Sequence, residues 1–196
     1  MNIAALLAKS ALSYSSRPAI TWGLETWSDY AGFHRAAGSI GGALKRDYGL
    51  EAGDRVAITM SNRPEFLETL FGIWYAGLVA VPINAKLHPS EFAYIFENSG
   101  ARVCFTAPEP APAIENLRAD TPVLEAVIVA GSDDYKQLCA GAALAYESRA
   151  PEDPAWLFYT SGTTGRPKGA TLSHRNLLVM TLSYFADMDP ISPNDC

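Results

Sequence analysis

Apolar residues recur along this chain in two alternating rhythms: steps of three and four that read as helices, and short β-rich runs that read as strands. Tyr30, Phe33, Ala37, Ile40 and Leu44 predict a long helix, with Ser28 as its cap and Gly49 near its end. Gly41-Gly42 would weaken that helix in isolation, so a neighbour must pack closely there. Residues 55–60 predict a short strand. The next helix takes Asn62 as cap and Pro64 in its first turn, and Phe66, Leu67, Leu70, Phe71 and Trp74 give it a broad apolar face before Gly77. Residues 79–83 form the following strand; Pro82 belongs at an edge or an end, because proline cannot donate to a ladder. Pro89 and Glu91 open a helix carrying Phe92, Ile95 and Phe96, and Gly100 stops it. Residues 102–105 and 124–129 are further strands, and Asp133-Asp134 reads as an exposed helix start.

Strands and helices alternating in this order imply an α/β fold, a mainly parallel sheet with helices on both faces. The Pro-rich stretch 107–112 reads as a surface loop, residues 155–159 as a buried strand and residues 172–184 as a helix. No internal repeat is visible. Ile3, Leu6, Leu7 and Ser10 fit a short amphipathic helix packing on the domain rather than a leader, since no basic residue precedes them and Lys9 interrupts the run. No stretch reaches the roughly 18 apolar residues of a membrane span, and peripheral membrane contact stays open.

Composition narrows the picture. The 196 residues are 48% hydrophobic, enough for one large domain or two small subdomains. A net charge of -6 gives no general pull toward nucleic acid or an anionic membrane, so any affinity for an anion must be local. Cys104, Cys139 and Cys196 make neither a metal spacing nor an even disulfide set, and the expectation is a reducing, cytoplasmic compartment with no metal site.

One run supplies local anion chemistry. Residues 159–169 read Tyr-Thr-Ser-Gly-Thr-Thr-Gly-Arg-Pro-Lys-Gly. Glycines let successive N–H groups converge on one anion, hydroxyls add donors that rotate to suit phosphate oxygens, and Lys168 brings a full charge on a long stem. A strand before it and a helix after it predict a strand–loop–helix setting. The Walker A pattern fails on register: counted from Gly162, its second glycine falls on Pro167 and its Ser/Thr on Gly169. A plain surface turn needs one or two special residues, not a run of this length, so phosphate binding is the better reading.

This run resembles the signature of the adenylate-forming superfamily, which includes acyl-CoA synthetases, firefly luciferase and the adenylation domains of peptide synthetases. The continuation Ser173-His174-Arg175-Asn176-Leu177 resembles the acyl-CoA synthetase branch, and Gly53-Asp54-Arg55, Ser61-Asn62-Arg63-Pro64-Glu65-Phe66 and Val81-Pro82-Ile83-Asn84 resemble its N-terminal region in order and spacing. The resemblance implies an enzyme that joins a small carboxylic acid to AMP at the expense of MgATP, releases pyrophosphate, and passes the acyl group to coenzyme A. It further implies that Thr160, Ser161, Gly162, Thr163, Thr164 and Gly165 cradle the phosphates, with Lys168 as the catalytic cation. Later elements of the family, an aromatic-Gly-x-Thr-Glu motif and a C-terminal lysine, do not occur here. The expectation is therefore that residues 1–196 are the N-terminal portion of the large domain, inactive alone and prone to dimerise. A non-catalytic nucleotide-binding or self-associating module, and a peptide-synthetase adenylation domain, remain the alternatives.

Other candidates have plainer explanations. His174 reads as a helix-start hydrogen-bonding residue as readily as a nucleotide contact, and His34 as partly exposed or at the edge of the core. Phe66, Phe71, Trp74 and Tyr75 read as core rather than as an acyl pocket, from their helical spacing.

Overall fold

The computed structural model describes residues 1–160 and 167–188. Its elements are α1 (Ala5–Ser13), β1 (Pro18–Trp22), β2 (Glu25–Asp29), α2 (Tyr30–Arg46), β3 (Arg55–Thr59), α3 (Pro64–Tyr75), β4 (Val79–Pro82), α4 (Pro89–Ser99), β5 (Ala101–Thr106), α5 (Ala111–Arg118), β6 (Ala126–Val129), α6 (Asp133–Ala140), β7 (Pro154–Thr160), β8 (Lys168–Ser173) and α7 (His174–Asp187). Six strands form one sheet in the order β6-β5-β3-β4-β7-β8, parallel except for β8, which runs antiparallel to β7. The predicted α/β architecture is therefore present.

Connection handedness explains why helices cover both faces. The chain runs from β3 to β4 and from β6 to β7 in one direction across the sheet, and from β4 to β5 and β5 to β6 in the other. Right-handed crossovers in opposite directions must use opposite faces. Accordingly Val56, Ile58 and Val103 pack with Ile40, Leu70, Ile73 and Tyr135 on one side. Ala57, Val81 and Cys104, one residue out of phase, pack with Phe92, Ile95, Phe96 and Ile114 on the other. The aromatic group on α3 is core: Phe71 meets Phe33 and Trp74 edge-on at 5.1 Å each.

The close packing expected at Gly41-Gly42 is real. A Cβ on Gly41 would lie 2.8 Å from the Gly72 carbonyl on α3, and one on Gly42 would lie 2.7 Å from the Ala142 carbonyl. These bare positions let α2 press against α3 on one side and against the 141–153 connection on the other, where the Leu144 N–H donates to the Gly38 carbonyl at 2.8 Å.

Local expectations fare unevenly. Gly100 caps α4 at φ 66, and Pro82 ends β4, although that strand is internal to the sheet. Asp29, not Ser28, caps α2, its carboxylate accepting from the Gly32 N–H at 2.7 Å. Arg63, not Asn62, occupies the N-cap of α3 and makes no side-chain cap bond; Pro64 at the first position removes one donor that would need it. The Pro-rich loop ends at Pro110, because Pro112 fits the first turn of α5 where no N–H is required. The antiparallel β1–β2 hairpin is absent from the sequence reading, since only Ile20 among its residues is buried and no apolar alternation marks it. It is fastened by Trp27, whose Nε1 donates to Glu68 at 3.0 Å, while Tyr135 on α6 donates to the same carboxylate at 2.7 Å.

Candidate functional site

The run singled out in the sequence joins β7 to β8. Thr160 and Lys168 face each other as register partners at its two roots, and Tyr159 pairs with Gly169. Ser161, Gly162, Thr163, Thr164 and Gly165 lie outside the described residues. Lys168 and Thr160 are exposed, and the parallel strands β3, β4 and β7 end at this side of the sheet, where open α/β sheets bind their ligands.

Here the structure corrects the expected strand–loop–helix setting. Residues 168–173 are a strand and only His174 onward is helical, so the loop closes an antiparallel hairpin. Strand β8 carries the chain roughly 20 Å back before α7 starts. A helix dipole acts over about one turn, so α7 cannot serve an anion at the loop. Any anion held beside Lys168 is therefore without a helix dipole from α7. The expectation of a buried 155–159 strand also needs correction. Ala155 is buried, Trp156, Leu157 and Tyr159 are partly covered, and Phe158 is 46% exposed, because the sheet's cover thins toward this edge.

Gly169 has a steric reason. A Cβ there would meet Leu157 at 3.0 Å and the Tyr159 ring at 3.2 Å, so glycine lets the Tyr159 ring lie across β8. That ring sends its hydroxyl to α4, donating to Asn98 Oδ1 at 2.7 Å. Burial, with Tyr94 nearby, raises the Tyr159 pKa, keeping the phenol a donor. From the same helix the Tyr94 hydroxyl donates to the Pro167 carbonyl at 3.3 Å. A pocket of about 260 Å³ lies beside these roots, walled by Asn84, Leu87, Glu91, Tyr159, Thr160 and Pro167. The sequence reading missed Tyr94 and Asn98; their spacing by four on one helix was the available signal.

The Ser173-His174-Arg175-Asn176 segment is a capping box. Ser173 Oγ accepts the Asn176 N–H at 3.2 Å and Asn176 Oδ1 accepts the Ser173 N–H at 2.9 Å. His174 is buried at the helix start, as one of its two readings held, with Nδ1 accepting the Ile3 N–H at 3.2 Å. His34 is partly buried and bonds the Tyr75 hydroxyl. Among the described residues no group of three or more His, Cys, Asp or Glu could hold a metal ion, and no helix is long and apolar enough to cross a membrane.

The model of the AMP-binding enzyme family matches residues 7–195. The chain belongs to the AMP-binding enzyme family. Sulfoacetate–CoA ligase of Cupriavidus necator is 36% identical over 184 residues, covering 90% of this chain and 36% of that protein. A fatty acid–[acyl-carrier-protein] ligase, ScoC, of Streptomyces coeruleorubidus is 34% identical over 165 residues, covering 83% and 30%. Among solved structures, the anthranilate CoA ligase AuaEII in complex with anthranoyl-AMP superposes with a TM-score of 0.87 at 27% identity, covering 95% of this chain and 36% of that one. These AMP-binding relatives are acid–thiol ligases, and this chain spans about a third of their length.

Proposed function

We propose that this chain is the phosphate-binding portion of the large domain of an AMP-forming acid–thiol ligase, one that converts a carboxylic acid and MgATP to an acyl-adenylate and pyrophosphate and passes the acyl group to coenzyme A. The observation that carries this reading is the pairing of Thr160 with Lys168. These two residues, which bracket a donor-rich run of glycine, serine and threonine in the sequence, are register partners at the carboxyl side of a parallel sheet, in a chain whose family uses nucleotides. A carboxylate is a poor acyl donor because its leaving group would be oxide. Attack of its oxygen on the α-phosphorus forms the C(O)–O–P bond while the P–O bond to pyrophosphate breaks, and the electron pair leaves with pyrophosphate. Negative charge grows on the departing oxygens, where fixed N–H groups and a cation act better than water. In this reading Thr160, Ser161, Gly162, Thr163, Thr164 and Gly165 cradle the phosphates, and Lys168 neutralises the β- and γ-phosphates. Magnesium enters with ATP as substrate. The enzyme's cytoplasmic location is part of the same proposal.

Carboxylate-dependent ATP–pyrophosphate exchange tests it, on the 196-residue chain and on a full-length ligase carrying this segment. The longer protein exchanges, the shorter one does not, and Lys168→Ala lowers the rate by about 10²-fold or more, the range of a lost transition-state charge contact. Exchange unaffected by that substitution removes Lys168 from the chemistry. No exchange with any short, long or aromatic acid favours a non-catalytic module.

A further inference from the structure

The two hydrogen bonds that α4 makes to the hairpin have a shared geometry. Tyr94 and Asn98 are four residues apart and so share a face of the helix. One holds the residue just before the strand that leaves the loop, through the Pro167 carbonyl at 3.3 Å, and the other holds the strand entering it, through the Tyr159 hydroxyl at 2.7 Å. The helix is itself fixed, with Phe92, Ile95, Phe96 and Ser99 buried and a capping box of His88 and Glu91 at its start. The hairpin, by contrast, lies at the sheet edge, joined to β4 through one register pair, Ala80 with Trp156, at the end remote from the loop.

We propose that Tyr94 and Asn98 are positioning residues which fix the two strands of the β7–β8 hairpin where the phosphate loop joins them, so that Thr160 and Lys168 meet ATP in one arrangement. The inference rests on the loop's assignment to ATP above. In this role they act by removing the splaying and twisting of the hairpin that nucleotide binding would otherwise have to suppress. Preorganisation of that kind appears as affinity for the ligand that uses the loop and leaves the carboxylic acid untouched.

The test uses the full-length ligase with Tyr94→Phe, Asn98→Ala, the double variant and, as a control on the same helix, exposed Glu97→Ala. Exchange kinetics give KM for MgATP and for the acid, trypsin reports cleavage after Lys168, and thermal unfolding reports global stability. Each single change raises KM for MgATP about 3- to 10-fold, the worth of one hydrogen bond, with KM for the acid unchanged. Cleavage after Lys168 quickens, the melting temperature stays within about 2 °C, and the control matches wild type. Unchanged KM for MgATP and unchanged cleavage overturn the proposal, as do losses that follow a falling melting temperature. If Asn98→Ala fails to fold, Tyr94→Phe, which keeps the ring, decides. If the wild type itself shows no exchange, the assignment to ATP falls, and the brace is judged by cleavage alone, where equal rates overturn it.

Discussion

His174 is 1% exposed, and its Nδ1 accepts the Ile3 N–H, so the ring is neutral with its proton on Nε2. Burial, then the N-terminal ammonium and Arg149, hold its pKa down to about 4, with Asp153 pulling the other way. A base whose folded pKa lies below its unfolded value near 6.5 contributes stability that is complete above pH 6.5 and is lost as pH falls toward 4. Over that window the loss is on the order of 1–3 kcal/mol. Urea midpoints of the wild type therefore fall between pH 6.5 and 4.5, and His174→Gln flattens the slope. Burial raises the Glu68 pKa, which gives the opposite slope, but Glu68 is common to both proteins and cancels in the comparison. Parallel slopes in the two proteins mean that His174 does not titrate with unfolding. Asn2 belongs to the same clamp, its amide donating to the Trp74 and Glu147 carbonyls at 2.6 and 2.8 Å. The sequence supported the helix-start reading of His174 but held no sign of its distant partner, because a contact between residues 3 and 174 depends on the path of the whole chain.

At the scale of elements, α2 and α3 show how a local liability becomes a packing device. Gly41→Ala would gain about 1 kcal/mol of helix propensity in isolation. In the fold the new methyl meets the Gly72 carbonyl at 2.8 Å and the Tyr75 Cβ at 3.2 Å, and neither can move without shifting α3. Chemical denaturation should show a net loss of about 1–3 kcal/mol; a stabilised variant would mean that the helices separate at little cost. The glycine pair was legible because it conflicts with its own helical pattern, and such a conflict needs a tertiary cause. The β7–β8 hairpin was not legible, because residues 168–173 hold only Ala170 and Leu172 as apolar residues and lie exposed on most of their length. Periodicity therefore assigned its last residues to the following helix. A capping box at Ser173–Asn176 marked the true start, and it is written in the sequence.

At the scale of the whole molecule, the two sheet faces are covered at their centre, and the cover fails at the β7–β8 edge and along α7. Only His174 and Leu177 of that helix are buried, while Val179, Met180, Leu182, Tyr184 and Phe185 are between 44% and 62% exposed. An apolar surface of this kind drives association. The 196-residue chain is expected to give a scattering mass that rises with concentration, and Leu182→Asp with Phe185→Asp to lower it; a monomer at every concentration tested contradicts the expectation.

The sequence by itself determined the alternation of strands and helices, the parallel α/β class, the helical stop at Gly100 and the chemical character of the 159–169 run, because each rests on local conformational preference or on the donors that a short segment carries. Tertiary structure decided that this run closes an antiparallel hairpin, that Tyr94 and Asn98 hold its roots, and that α7 begins at the far end of β8. Those outcomes depend on which edge of the sheet is free to accept a strand and on which side chains are brought within hydrogen-bond reach from 61 and 73 residues away. Local pattern carries no record of such distances.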